Sequence, residues 1–98
     1  MKLSYHPEAE NELIDAFRYY EERSGRLGER FLSEFDEAIT KISTAPERWA
    51  VFEDDLRIYS MRRFPFAIYY LTEDDKLLIL VVKHHSRRQV YWRDRLKT

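Results

Sequence analysis

Arg57, Arg62, Arg63, Lys83, Arg87 and Arg88 are the residues with the most chemical potential in this chain. They fall near the ends of expected strands, where side chains reach the rim of a sheet. Cations converging on one concave surface can hold a phosphate and stabilise charge developing on it during phosphodiester cleavage. They can equally hold an acidic protein surface. The competing reading is a solvated basic face with surface ion pairs to Glu53, Asp54 or Asp55. His84 and His85 are candidates for a general acid or base. Neighbours in a strand point to opposite faces, which argues against a shared metal. The third histidine is His6, and no HExxH-type spacing exists, so no metal site is expected. Either histidine can instead be satisfied by a backbone partner. Tyr91 and Trp92 can stack on bases, and Tyr91 can give or take a proton. Trp92 can alternatively dock the tail onto the core.

Other chemistries lack their residues. There is no cysteine, which removes disulfides and thiolate ligands. The two glycines, Gly25 and Gly28, make no phosphate-cradling loop. The acidic runs Glu53-Asp54-Asp55 and Glu73-Asp74-Asp75 read as solvated turns. No cofactor is expected.

The charge is unevenly placed. Residues 83–98 hold six Lys or Arg and one acid, while the whole chain is −1. Residues 1–48 sum to −4 and residues 49–98 to +3. Such a concentration of positive charge in a near-neutral protein points to an anionic partner.

The elements that must position these residues follow from periodicity. Ninety-eight residues, 44% apolar and 15% aromatic, suit one domain spanning 1–98 with a real core. The apolar run Leu77–Val82 is too short to span a bilayer, and no signal peptide is evident, so a cytoplasmic setting is the expectation. Lys2–Tyr5 alternates as a short strand. Pro7 opens a helix whose stripe is Ala9, Leu13, Ala16, Phe17 and Tyr20. Gly25 suits a left-handed stop. A second helix is expected over Leu27–Thr44, with Leu27, Phe31, Phe35, Ala38 and Ile42 inward and Pro46 beyond its end. Glu47–Asp55 reads as an irregular connection. Strands are expected at Leu56–Ser60, Arg62–Thr72 and Leu77–His84, with Pro65 at a bulge or an edge. Arg88–Leu96 is a candidate short helix. The order is β-α-α-β-β-β, an α+β fold with a helical hairpin on a mostly antiparallel sheet. Leu77–Val82 is apolar at both parities, so both sheet faces need cover. The helices can cover one. The tail, a second copy or a partner chain must cover the other.

Over nearly its whole length the chain resembles the RelE/ParE superfamily of toxins from type II toxin–antitoxin modules, also known as plasmid stabilisation proteins. The resemblance lies in His6-Pro7-Glu8-Ala9-Glu10, Tyr19-Tyr20-Glu21, Leu27-Gly28-Glu29-Arg30-Phe31 and Ala45-Pro46-Glu47-Arg48-Trp49. It continues through Arg57 and Arg63-Phe64-Pro65-Phe66-Ala67-Ile68-Tyr69-Tyr70. The ending 84–95 is similar to the family's histidine, arginine pair and Tyr-Trp, with Val90 where proline is frequent. The resemblance implies the helical-hairpin fold. It also implies a cognate antitoxin that wraps the toxin, a hetero-oligomer and no membrane. RelE-like members cleave mRNA on the ribosome with basic residues and a C-terminal tyrosine. On that reading Arg57, Arg63, Lys83, Arg88 and Tyr91 form the site. ParE-like members bind and inhibit DNA gyrase. On that reading Arg57, Arg62, Arg63, His84, Arg87, Arg88, Tyr91, Trp92 and Arg95 are candidates to contact target or antitoxin. The Leu27-Gly28 turn, the long hairpin and Arg63-Phe64-Pro65 side with ParE. An inactive antitoxin-binding relative is the third possibility.

Overall fold

The computed structural model describes residues 1–88 and 91–97. Strand β1 (Lys2–Tyr5) leads into α1 (Pro7–Arg23) and α2 (Leu27–Thr44). A 3-10 turn (Pro46–Arg48) precedes β2 (Val51–Glu53), β3 (Leu56–Ser60), β4 (Phe66–Glu73) and β5 (Lys76–His84). A last 3-10 turn spans Arg93–Lys97. The sheet order is β1-β5-β4-β3-β2. β1 runs parallel to β5, and the other pairs are antiparallel. The expected α+β architecture is therefore the one found.

The first helix starts where Pro7 supplies a preset φ and His6 caps it, its Nδ1 accepting from the Glu8 amide at 3.1 Å. Its end differs from expectation. Ser24 is the cap, in an extended conformation, and its N–H still reaches the Tyr20 carbonyl. The Leu27 amide then bonds the Ser24 carbonyl at 3.0 Å, so the chain turns without a left-handed Gly25. Gly28 has the stricter role. A Cβ there would run into the Glu21 carboxylate and lie 3.0 Å from Phe17 Cε1, so its lack of a side chain lets the helices approach.

Three other expectations are corrected. Residues 62–65 are not strand; β4 begins at Phe66. Pro65 has no N–H to give a ladder, and the Arg62 and Arg63 amides are taken by the Glu34 carboxylate at 2.6 and 3.2 Å. The stretch expected to be irregular contains the 3-10 turn and β2. Asp54 and Asp55 close the β2–β3 hairpin at φ 49° and 65°, a conformation Asp tolerates. The tail forms a 3-10 turn over Arg93–Lys97, in place of a helix from Arg88. Gln89 and Val90, including the position where the family pattern has proline, lie outside the described residues.

Two cores flank the sheet. Tyr20, Phe31, Phe35 and Ile42 from the helices pack on Ile68, Tyr70, Leu77, Ile79 and Val82. On the other face Leu56, Ala67, Tyr69, Leu80 and Val81 enclose Trp92, which is fully buried. The chain's own tail thus covers the second face. A bulge makes this possible. Tyr69 pairs with Val81 but Tyr70 with Ile79, so Leu80 is the extra residue, and both Leu80 and Val81 face the tail.

Candidate functional site

The basic residues are built into three places. Arg57 pairs across from Tyr70 on the helix-facing side. Its guanidinium donates to the Trp49 and Glu47 carbonyls, and Tyr70 Oη donates to the Pro46 carbonyl at 2.6 Å. These bonds fasten the segment after α2 to the sheet. Burial raises the Tyr70 pKa above its usual 10.0, and Arg57 opposes that rise. Arg57 therefore serves the backbone that it holds.

Arg62 and Arg63 are exposed at one wall of an open groove of about 990 Å³. Leu27, Arg30, Glu34 and Lys41 of α2 form the opposite wall. Glu34 joins the walls by accepting both arginine amides.

The third place is the C-terminal end of β5. Lys83 pairs with Ala67 and so lies on the tail-facing side, away from Arg57. It is buried, and Nζ donates to the His84 carbonyl at 3.2 Å. Burial, then Arg87, lowers its pKa from 10.5. His84 sets its ring edge-on to Phe66 at 5.1 Å, and its Nδ1 accepts from the Ser86 amide at 3.0 Å. His85 is exposed and donates its amide to the Pro65 carbonyl. Arg87 and Arg88 are exposed.

Tyr91 and Arg95 converge on Glu12, a residue that pattern reading passed over. Glu12 Oε1 and Oε2 accept from Arg95 at 2.8 and 2.9 Å, and Oε2 accepts from Tyr91 Oη at 2.6 Å. Oε1 also takes the Val82 amide at 3.0 Å, and Arg95 donates to the Leu80 carbonyl at 3.0 Å. β1 ends opposite Ile79, so these two β5 backbone groups have side chains where a strand partner would be. Burial, followed by the bond to Glu12, pushes the Tyr91 phenol well above its usual 10.0. Burial alone would lower the Arg95 pKa, but its bond to Glu12 and that carboxylate's charge raise it. Glu12 and Glu34 left the same trace in the sequence. Each sits among apolar stripe positions, at Ala9-Glu12-Leu13-Ala16 and Phe31-Glu34-Phe35-Ala38. An acid at such a position signals a backbone or cationic partner waiting opposite it.

Arg57, Arg63, Lys83 and Tyr91 thus do not share one cleft. Arg57 and Lys83 occupy opposite sheet faces, Arg63 lines the α2 groove, and Tyr91 is bound to α1 through Glu12. Arg87, Tyr91 and Arg95 are brought together, with the two guanidinium carbons 4.2 and 5.2 Å from the Tyr91 ring centre.

The comparisons with known proteins agree with this architecture. A similar fold occurs in a solved structure described as the chromosomal ParDE TA system from P. aeruginosa. The TM-score is 0.69 at 18% identity, over 86% of this chain and 95% of that one. Toxin ParE2 of Mycobacterium tuberculosis is 32% identical over 84 residues, covering 85% of this chain and 80% of the relative. The same identity and coverage hold for Toxin ParE2 in two strains of that organism. Residues 3–89 match the family model described as the ParE toxin of the type II toxin–antitoxin system parDE. The chain belongs to the ParE toxin family of type II toxin–antitoxin systems.

Proposed function

We propose that this ParE-family toxin arrests growth by binding DNA gyrase without chemistry of its own, and that a cognate antitoxin neutralises it in a toxin–antitoxin hetero-oligomer. Both partners would meet it in the cytoplasm, and the pair would stabilise the replicon that carries it. The observation that supports a binding mode is the separation of the nuclease candidates. Metal-independent cleavage of RNA needs a base, an acid and cations around one phosphate. Here Arg57 is spent on the Trp49 and Glu47 carbonyls, and Lys83 is buried on the other face. The Tyr91 hydroxyl is given to Glu12, with its pKa raised. What remains exposed is Arg87 over the Tyr91 ring, its neighbour Arg88, and the Arg62–Arg63 groove. Either suits an acidic protein surface, in gyrase or in an antitoxin.

The test is induction of the chain alone, followed by a supercoiling assay on gyrase and primer extension on cellular mRNA. Blocked supercoiling with intact transcripts is the expected result. Codon-phased cuts in mRNA with normal supercoiling would sink the reading and establish the nuclease. Neither effect would leave an inactive antitoxin-binding relative. Co-expression with a cognate antitoxin is expected to restore supercoiling.

A further inference from the structure

The tail is anchored twice, by consecutive residues. Trp92 is buried under the sheet and already fastens the tail by its apolar surface. Tyr91 packs at the margin of the same core and reaches α1 through the bond of its hydroxyl to Glu12. A second anchor made of a largely buried ion pair adds little stability, because desolvation offsets most of its attraction. Its strength lies in geometry: the arginine grips both carboxylate oxygens, and a third bond orients the phenol. The carboxylate projects from the second turn of a 17-residue helix, so its reference frame is rigid.

The consequence falls on Arg87. Its guanidinium lies 4.2 Å from the centre of the Tyr91 ring. It lines two grooves beside α1 that also carry Glu8, Glu12, Asp15 and Asp94, and among the described residues it makes no ion pair. An exposed arginine ordinarily gives up much rotamer freedom on binding, and a stacked one has lost part of it beforehand.

We propose that Glu12 is a positioning residue: by holding Tyr91 and Arg95 at the open edge of β5 it fixes the Tyr91 ring under Arg87, and Arg87 is the cation presented to an acidic partner surface. The second half rests on the toxin reading above; the first half stands on geometry alone.

Two measurements on the full chain test the two halves. The first is the NMR shift of the Arg87 side-chain protons, which the Tyr91 ring should move upfield. Trp92 burial is followed in parallel by acrylamide quenching in a Trp49→Phe background. Glu12→Gln is expected to return the Arg87 shifts to ordinary values while Trp92 stays protected. An unchanged upfield shift would overturn the positioning role. If Glu12→Gln does not fold, Tyr91→Leu replaces it, with Tyr91→Phe, which keeps the ring, as its control. Equal Arg87 shifts in that pair would overturn the platform.

The second measurement is the inducer dose that arrests growth, arranged as a double-mutant cycle. Arg87→Gln and Glu12→Gln should each raise the dose by about tenfold, and the double variant should be no worse than Arg87→Gln. A full additional loss in the double variant would show that Glu12 acts through stability and not through Arg87. An Arg87→Gln chain as potent as wild type would overturn the presentation half. If the wild-type chain arrests nothing, the toxin reading falls and the presentation half with it, and the Arg87 shifts still decide the positioning half. If growth stops with supercoiling untouched, only the gyrase assignment is lost.

Discussion

Two glutamates on apolar stripes organise this molecule. Glu34 accepts the amides of Arg62 and Arg63, and Glu12 accepts the amide of Val82 with two side chains besides. Each therefore satisfies backbone groups that no strand meets. The Glu34 bonds lie at an exposed site where water can take over the amides, so removing that acceptor costs about 0.5–1.5 kcal/mol. Glu34→Ala is expected to lose stability in that range by urea denaturation, with Glu34→Gln, which can still accept, losing less. Trp92 makes the larger contribution. Its truncation to Ala empties the second core, and a loss of about 3–5 kcal/mol is expected in the same assay. Among the described residues the indole Nε1 has no hydrogen-bond partner, and the value of Trp92 lies in the apolar surface it buries.

Among the elements, β5 and the tail behave as one unit. The bulge at Leu80 turns two successive side chains to the face that receives Trp92, and the Leu80 carbonyl receives Arg95. Truncation after Arg87 would remove both anchors, so it tests folding as much as toxicity. The truncated chain is expected to melt at least as early as Trp92→Ala and to bind ANS at the uncovered sheet face; unchanged melting would show that the tail is not part of the core. The helical hairpin depends similarly on Gly28. Valine there must displace Glu21 and crowd Phe17, and overpacking of this kind costs about 1–3 kcal/mol. Gly25 meets nothing within 4 Å and has no positive φ, so its replacement by Ala should leave the melting temperature nearly unchanged.

Over the whole molecule, charge is polarised and stability depends on pH. A chain at −1 that carries +5 over its last sixteen residues is polarised, and association through that end should weaken with salt. Stability should fall at alkaline pH. Tyr5, Tyr20, Tyr70 and Tyr91 all have pKa values raised above 10.0, with burial the leading cause in each. Unfolded phenols release protons first, so the native state loses stability as pH rises past about 10. Lys83 acts in the opposite sense, because its native pKa is depressed below 10.5 and deprotonation relieves its burial. Four groups outweigh one, and pH-dependent melting should show a decline above about pH 10 that Tyr91→Phe makes shallower.

The one-dimensional pattern carries local elements and family well. Helical stripes placed both helices, alternation and apolar runs placed four of the five strands, β4 with too early a start, and motif order pointed to the family that the comparisons then showed. The double apolar parity of Leu77–Val82 also announced a second covered face. Periodicity could not choose the cover, because a tail, a second copy and a partner all bury the same surface. Only tertiary packing assigned that role to Trp92. The same holds for the cations. Sequence counts charge along a line, whereas strand register and the bonds of Glu12 and Glu34 separate Arg57 from Lys83 and gather Arg87, Tyr91 and Arg95. A hydrogen bond joining residues 12 and 91 leaves no period in the sequence, so the arrangement of the basic end was decided in three dimensions.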